Sequence, residues 1–308
     1  MRAFLPGTRA SRLQERCRLT FEVTLPLRTV RAPHSCRRDA CVPGKSARIP
    51  GLAGLVLMTD TVERFSNRVA DYVKYRPGYP AGVLELFRDE MGLRPGSVIA
   101  DMGSGTGISA SLFLENGNTV YGVEPNAAMR EAAEQFLKEF SNFRSVDGTA
   151  ENTTLPDASV DFVTAAQAFH WFDAERTREE LKRILRPDGY IVLMWNERQL
   201  DSTEFLREYE KFLLKFGNDY EKVRHENITE YVLEDFFRQP FRRQTFENVQ
   251  VFDFDGLKGR MLSSSYMPSA DSSKYETMIR ELKVLFAKYS ESDKIKVFYD
   301  TNVFYTQV

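Results

Sequence analysis

Three closely spaced glycines form a loop whose surroundings suit the binding of a nucleoside. The stretch Asp101-Met-Gly103-Ser-Gly105-Thr-Gly107 lies between a predicted buried strand and a predicted helix. Glycines let the backbone turn tightly and approach a ligand closely, and the N–H groups at the start of a helix attract negative groups. Glu124 follows 17 residues after Gly107, near the usual spacing of about 20 for an acid that binds ribose hydroxyls. The loop and Glu124 together predict a nucleoside site.

The order of the glycines separates two classes of ligand. A dinucleotide fingerprint needs glycine at its first, third and sixth positions, but here Gly107 stands fifth and Ile108 sixth. Asp101 would repel a pyrophosphate, whereas its carboxylate suits a ligand that carries an ammonium group. The pattern therefore favours a nucleoside bearing an amino acid, and a nucleotide-dependent oxidoreductase stays as a less favoured alternative.

Predicted strands and helices alternate around this loop. Strands are predicted over Ser97–Asp101, Thr119–Glu124, Val160–Ala166 and Tyr190–Trp195. Helices are predicted over Ala81–Met91, Ile108–Glu115, Asn126–Phe140 and Ala174–Leu185. Such alternation is typical of βαβ units, and it predicts a doubly wound α/β fold with a mostly parallel sheet.

The later part of the chain has a different pattern. Helices are predicted over Thr203–Phe216, Thr229–Phe237 and Ser272–Tyr289, and long antiparallel strands over Phe241–Phe254 and Lys294–Gln307. We predict one domain over residues 59–308, with a cap or insertion at about 197–292 that covers the acceptor side of the site.

The first 58 residues differ from the rest in charge. They hold eleven Arg and Lys against three Asp and Glu, together with all three cysteines, whereas residues 59–308 carry a net charge of −10. Five prolines interrupt this segment, and it shows no helical or strand periodicity. We interpret it as a disordered basic extension or a mis-set start, which predicts a cytoplasmic protein. The alternative is an organellar transit peptide, because the segment is rich in Arg and poor in acids.

Composition argues against several kinds of site in residues 59–308. The absence of cysteine there excludes disulfides, a thiol nucleophile and Cys-ligated zinc. The whole chain has three histidines, scattered far apart, which predicts no metal site. The net negative charge argues against nucleic acid as a partner. The longest apolar run of the whole chain, Gly51–Met58, falls far short of the roughly 20 residues of a membrane span. We expect a monomer or weak homodimer with neither nucleic acid nor membrane as a partner.

The stretch from Phe65 to about Asn196 resembles the class I S-adenosylmethionine-dependent methyltransferases. The loop Asp101–Gly107 resembles the motif that receives the methionine part of the cofactor, and Glu124 resembles the ribose-binding acid. The resemblance therefore implies S-adenosylmethionine as the cofactor, bound in part by Asp101, Gly103, Gly105 and Gly107. It also implies a Rossmann-like sheet of seven strands with an antiparallel C-terminal strand.

Further motifs of this family follow in order. Gly148–Pro156 resembles the loop over the adenine, which implies a backbone N–H contact from Ala150. Family members often have Asp where Thr149 stands, so the adenine amino group is left to the hydroxyl of Thr149 or to Glu151. Ser159–Phe172 resembles the fourth strand with its following loop, and Arg186–Trp195 resembles the next strand.

Three segments are similar to the small-molecule branch that includes trans-aconitate methyltransferase-like proteins. They are Tyr72–Pro80, the pair His170-Trp171 and, less specifically, Leu257–Pro268. This likeness implies a small-molecule acceptor, methylated at oxygen (a carboxylate or hydroxyl) or at carbon.

Several single residues are candidates for roles in the site. Gln167 is expected to line the cofactor pocket. Arg76 can pair with a carboxylate of the cofactor or substrate, or it can be a solvated charge at a helix end. His170 can act as a base or substrate contact just past a strand end, or it can be a packed histidine that caps the Trp171 loop. Arg260 and Tyr266 are expected to close the substrate side.

Methyl transfer from a sulfonium requires mainly that donor and acceptor be held in near-attack geometry. A general base is needed only when the acceptor must lose a proton, so the lack of a catalytic triad does not argue against an enzyme. The sequence lacks the Asn/Asp-Pro-Pro-aromatic motif of enzymes that methylate exocyclic amines of nucleic acids. We predict a methyltransferase acting on a small molecule. The alternative is a non-catalytic S-adenosylmethionine-binding or interaction protein on the same fold.

Overall fold

The computed structural model describes residues 74–218, 220, 229–264 and 266–308. The predictions for residues 1–58, for the start of the domain at residue 59 and for Tyr72 lie outside these residues. Among the described residues, no helix is both long enough and apolar enough to cross a membrane. The same part of the chain contains no group of three or more His, Cys, Asp or Glu that could hold a metal ion.

A seven-stranded sheet in the order β3-β2-β1-β4-β5-β7-β6 organises the fold. The strands are β1 Val98–Met102, β2 Thr119–Val123, β3 Phe143–Val146, β4 Val160–Ala166, β5 Leu185–Arg198, β6 Arg242–Phe252 and β7 Ile295–Gln307. The first five strands run parallel, β7 runs antiparallel to β5, and β6 runs antiparallel to β7. The predicted doubly wound, mostly parallel seven-stranded sheet with an antiparallel C-terminal strand is confirmed.

Eight described helices accompany the sheet. They are α1 Ala81–Met91, α2 Ile108–Glu115, α3 Ala127–Phe136, α4 Ala174–Ile184, α5 Glu204–Phe216, α6 Glu230–Phe237, α7 Phe254–Leu262 and α8 Tyr275–Tyr289. Most ends lie within three residues of the predicted ones, although α3 ends four residues earlier, at Phe136. The sequence pattern did not predict β3 or α7.

Alternation along β5 shows how the sheet is covered on both faces. Successive side chains of a strand point to opposite faces. Val192 and Met194 pack in one apolar cluster with residues of α1 and α2, whereas Leu193 and Trp195 pack in another with residues of α4 and α6. The near-continuous apolar run of this strand therefore reflects burial on both faces.

The elements of the predicted insertion at 197–292 pack in three different places. Helices α5, α7 and α8 form a third apolar cluster with the N-terminal part of β7. Helix α6 packs on the main sheet through Leu233, Phe236 and Phe237. Strand β6 is itself the edge strand of the main sheet.

The strand order predicts where a ligand binds. The chain leaves β1 for β2 on one side and later returns to β4 on the other. In open α/β sheets, ligands bind outside the carboxyl ends of the strands at such a switch point. Here those ends are Met102 of β1 and Ala166 of β4.

Candidate functional site

A cleft of about 1430 Å³ lies at the carboxyl ends of β1, β4 and β5. Its walls include the glycine loop after β1, Gln167 after β4, and the stretch 196–202 from the end of β5. Arg76, Pro77, Tyr79, Tyr220, Arg260 and Tyr266 also line it. The cleft therefore brings together the predicted cofactor loop, Gln167, Arg76 and the two residues predicted to close the substrate side. The residues predicted to contact the ribose and the adenine, Glu124 and Thr149–Glu151, are not among the described residues that line it.

The glycine loop is fixed to its neighbours while one of its glycines faces open space. The N–H groups of Gly103 and Ser104 donate to the carbonyl oxygen of Val123, at 2.8 and 3.2 Å. A Cβ on Gly103 would lie 2.6 Å from the Cβ of Ala168, and one on Gly107 would lie 2.5 Å from Leu137. A Cβ on Gly105 would have no neighbour closer than a backbone oxygen 4.0 Å away. The loop thus leaves room for a ligand at Gly105.

Glu124 connects the glycine loop to the start of α3. Its carboxylate accepts hydrogen bonds from the N–H of Gly105 at 3.0 Å and from the N–H of Asn126 at 2.9 Å. Burial raises the pKa of this carboxyl, against the effect of those two hydrogen bonds. Each carboxylate oxygen has a second lone pair. Glu124 therefore keeps the capacity to accept ribose hydroxyls, and its role in binding ribose stays a prediction.

Asp101 occupies a different position from the one expected of a ligand-binding acid. The residue is fully buried, and its carboxylate accepts hydrogen bonds from the hydroxyls of Ser109 at 2.5 Å and Thr164 at 2.7 Å. Burial raises the pKa of this carboxyl to about 6. Instead of facing an ammonium group, Asp101 joins β1 to β4 and to the first turn of α2 beneath the glycine loop.

The predicted adenine loop begins with a tight turn. The backbones of Thr149 and Asn152 exchange two hydrogen bonds, of 3.0 and 3.2 Å, and place buried Ala150 between them. The carboxylate of Glu151 accepts the N–H of Asp173 at 2.9 Å. This carboxylate therefore holds the loop to the start of α4. Its contact with the adenine stays a prediction.

Helix α4 holds the same loop at a second point. Both the N–H and the hydroxyl of Thr153 donate to the Glu180 carboxylate, at 2.8 and 2.6 Å. The hydrogen bond from Arg183 lowers the pKa of Glu180 to about 2, and the bonds from Thr153 act in the same direction. Glu180 thus stays ionised and fixes the loop that the sequence assigns to the adenine.

Gln167, which lines the cleft, has a strained backbone. Its φ is +61°, a conformation that non-glycine residues adopt at a cost of about 1–3 kcal/mol and mainly at functional sites. Its N–H donates to the Met194 carbonyl at 2.9 Å, and its side-chain amide donates to the Asn196 carbonyl at 3.2 Å. Gln167 therefore bridges the ends of β4 and β5, as a residue lining the pocket should.

Arg76 also lies in the wall of the cleft. Its guanidinium donates to the carbonyl oxygen of Ser263, 3.0 Å away, just past the end of α7. The side chain is partly buried and therefore differs from the alternative prediction of a solvated charge. Its pairing with a carboxylate of the cofactor or substrate stays a prediction.

His170 differs from one of its two interpretations, that of a packed histidine. It lies in a 3-10 turn over Phe169–Trp171, with its ring centroid 4.6 Å from that of Trp171. The turn directs Phe169 into the core and leaves His170 and Trp171 exposed. His170 is not among the described residues that line the cleft. It is therefore not a packed histidine, and its role as a base or substrate contact stays a prediction.

Two arginines at the far end of the cleft have different partners. Arg198 forms an ion pair with Glu210 and donates to the Tyr220 hydroxyl at 2.9 Å. Arg260 donates to the hydroxyls of Tyr299 and Ser264, each at 3.2 Å. Within the described ranges, Arg260 has no carboxylate within ion-pair distance. Its guanidinium therefore contacts neutral groups, two hydroxyls and the ring of Tyr299, and no described side chain neutralises its charge.

Sequence reasoning did not identify Asn196 and Arg198 as residues of the site. Both extend β5 beyond Trp195, and both line the cleft. Residues two apart on a strand share a face, and ligands bind beyond the carboxyl ends of parallel strands. A polar pair at this spacing was therefore a usable signal.

Comparison with known proteins finds relatives that are described as methyltransferases. A family described as a methyltransferase domain matches residues 100–193. A methyltransferase-like protein of Schizosaccharomyces pombe is 28% identical over 247 residues, which cover 79% of this chain and 94% of the relative. A methyltransferase of Bacillus licheniformis is 34% identical over 178 residues, which cover 54% of this chain and 83% of the relative.

Other similarities are partial or concern the fold alone. A methyltransferase of Mycobacterium tuberculosis is 33% identical over 160 residues, but the match spans 61% of its length. A solved structure from Anaeromyxobacter dehalogenans, provisionally classed as a type II methyltransferase, has a TM-score of 0.59. It is 21% identical, and the match covers 76% of this chain and 98% of that one. This likeness supports the fold.

Proposed function

This chain belongs to the class I S-adenosylmethionine-dependent methyltransferases, and we propose that it methylates a carboxylate oxygen of a small molecule. In this proposal the methionine part of S-adenosylmethionine lies at the glycine loop, with its ribose at Glu124 and its adenine at Thr149 and Ala150. The bound cofactor supplies an activated methyl group. The acceptor then lies further along the cleft, toward Arg260.

The observation that carries the proposal is the environment of Arg260. A partly buried cation without a carboxylate partner is costly to desolvate, and an anionic ligand would compensate for that cost. A guanidinium can bind a carboxylate through two parallel hydrogen bonds. Arg198 is less suited to this role because Glu210 already neutralises it. Arg260 lines the same cleft as the glycine loop, so an acceptor held there shares a cavity with the donor.

The chemistry of a carboxylate acceptor suits this set of residues. A carboxylic acid is ionised at neutral pH, so no residue has to remove a proton before its oxygen attacks. The new bond joins that oxygen to the methyl carbon while the bond from methyl carbon to sulfur breaks. The products are a methyl ester and S-adenosylhomocysteine. The protein's task is then to orient the acceptor, and the exposed position of His170 presents no difficulty.

The product of the reaction tests the proposal directly. The full chain would be incubated with methyl-labelled S-adenosylmethionine and a panel of mono-, di- and tricarboxylates that includes trans-aconitate. Alkali hydrolyses a methyl ester to volatile labelled methanol, whereas methyl ethers and C-methyl products keep the label. We expect alkali-labile label with at least one carboxylate. Label that resists alkali, or no transfer to any carboxylate, would contradict the proposal.

Substitution of Arg260 tests where the acceptor binds. Arg260→Ala should raise the KM of the carboxylate by about 10- to 100-fold, the range expected when a charge-assisted hydrogen bond is lost. It should leave the affinity for S-adenosylhomocysteine unchanged. Arg280→Ala, which removes an exposed arginine of α8, is the matched control and should change neither quantity. An unaltered KM in Arg260→Ala would refute the placement of the acceptor.

A further inference from the structure

A line of hydrogen bonds runs from Arg260 to a segment that covers the cleft. The Arg260 Nε donates to the Tyr299 hydroxyl at 3.2 Å, and that hydroxyl donates to Gln250 Oε1 at 2.9 Å. Gln250 Nε2 in turn donates to the carbonyl oxygen of Tyr75 at 3.2 Å. We propose that Tyr299 and Gln250 are positioning residues, which fix the Arg260 guanidinium for the acceptor and couple it to residues 75–79, here called the strap. This inference rests on the proposed function.

The direction of each hydrogen bond is determined by chemistry. Arginine is only a donor, so Tyr299 must accept with an oxygen lone pair. Its single hydroxyl proton is then directed to Gln250, whose amide group has the remaining donors for the strap. Tyr299 is 1% exposed, and water therefore cannot easily replace a missing partner. The bond to Tyr299, itself held by Gln250, and the bond from Arg260 Nη1 to the Ser264 hydroxyl thus hold the guanidinium at two points.

The strap is also connected to the helix that carries Arg260. A Cβ on Gly259 would lie 2.1 Å from the ring of Tyr75, so this ring packs directly on α7 beside Arg260. Arg76 donates to the carbonyl of Ser263, the residue that follows the last residue of α7. The strap therefore contacts α7 on both sides of Arg260 in the sequence.

The remaining part of the strap is held by the sheet. The side-chain amide of Asn196 donates to the carbonyl of Gly78 at 3.2 Å, and that of Asn248 donates to the same oxygen at 2.8 Å. The carbonyl of Asn196 is the acceptor for Gln167. The strap is therefore bonded to β5 beside the predicted cofactor pocket as well as to Arg260 at the acceptor end.

The Tyr299→Phe variant isolates the hydroxyl at the centre of this line. It leaves the Arg260 Nε–H and Gln250 Oε1 without their partner in buried surroundings, a loss that should raise the acceptor KM by about tenfold. The value of kcat at saturating acceptor and the affinity for S-adenosylhomocysteine should remain within about twofold of the wild type. Gln250→Met, which keeps the length of the side chain, should change KM in the same direction.

Tyr209→Phe is the matched control in the same aromatic cluster. Tyr209 is buried and packs in the cluster of α5, α7 and α8, but its hydroxyl forms no hydrogen bond within the described residues. This variant should leave KM unchanged. Equal effects of Tyr209→Phe and Tyr299→Phe on KM and melting temperature would show a merely structural role and overturn the inference.

Arginine labelling gives a readout that needs no acceptor. Phenylglyoxal, a reagent for guanidinium groups, would be applied to the full chain, and peptide mass spectrometry would follow modification of Arg260. Tyr299→Phe should speed this modification several-fold relative to wild type and Tyr209→Phe. An unchanged rate together with an unchanged KM would overturn the inference even if Arg260→Ala raises KM. Failure of Arg260→Ala itself would instead contradict the proposed function.

Discussion

At the scale of single residues, the site contains two carboxylates with different environments near the glycine loop. Both Asp101 and Glu124 have pKa values raised by burial. Glu124 accepts two backbone N–H groups at the end of β2, whereas Asp101 accepts two hydroxyls and is fully buried. The geometry therefore separates an acid available to a ligand from one that supports the loop.

The buried position of Asp101 predicts a pH-dependent stability. Its pKa is about 6 in the folded chain against 3.8 for the free side chain, so the folded state binds the proton more tightly. The stability it contributes is greatest below pH 3.8 and is lost as the pH rises through about 6. Asp101→Asn has no charge to desolvate and should raise the free energy of unfolding at pH 8 by about 3 kcal/mol. The gain should disappear near pH 4.

Urea denaturation of wild type and Asp101→Asn between about pH 4 and pH 8 measures this difference. The matched control is Asp89→Asn, which makes the same substitution at an exposed acid of α1. A difference for Asp101→Asn that is constant over the range would contradict the predicted linkage.

At the scale of elements, the loop between β1 and α2 requires glycine for two separate reasons. Gly103 and Gly105 both have a positive φ, of +62° and +55°, so an alanine at either position has a backbone cost. Only Gly103 is also closely approached, by Ala168 in the loop after β4. A substitution at Gly103 therefore tests the packing of the loop, whereas one at Gly105 tests the space that the loop leaves for the cofactor.

Alanine substitutions at these two glycines should have different effects. Gly103→Ala combines a strained φ with a Cβ contact of 2.6 Å and should lower the free energy of unfolding by about 2–4 kcal/mol. Gly105→Ala should lower it by only about 1–2 kcal/mol, the cost of a left-handed backbone, but should weaken S-adenosylhomocysteine binding at least tenfold, because its methyl group enters the ligand space. Chemical denaturation and calorimetry measure the two quantities. Equal losses of stability would contradict this division.

The whole molecule shows which features depend on local sequence. Long periodic elements were predicted well because each has a distinct apolar repeat. Strand β3 has four residues and α7 contains two glycines, so neither has a strong local pattern. The glycine loop and Gln167 reach the cleft because sheet topology fixes the ends of β1 and β4, whereas Arg76 is held there by the carbonyl of Ser263. The positions of Asp101 and His170 depend on tertiary contacts and on the direction of one short turn, which spacing does not encode.

Charge also divides the whole chain, since the first 58 residues carry +8 and the remainder −10. Within the described ranges, every residue lining the cleft lies between Arg76 and Phe304, in the negatively charged part. We therefore expect a chain beginning at Met58 to keep the kcat and acceptor KM of the full chain at physiological salt. A basic segment can still speed the encounter with an anionic acceptor, but this attraction weakens as salt screens it.

Steady-state kinetics of both chains at about 20 and 150 mM salt, over which the Debye length falls from about 20 to 8 Å, tests this expectation. The two chains should agree at the higher concentration, and the full chain should have at most a modest advantage in kcat/KM at the lower one. A shortened chain that folds but loses activity at both concentrations would show that the first 58 residues contribute directly to the site. Such a loss would be incompatible with a site built only from the negatively charged part of the chain.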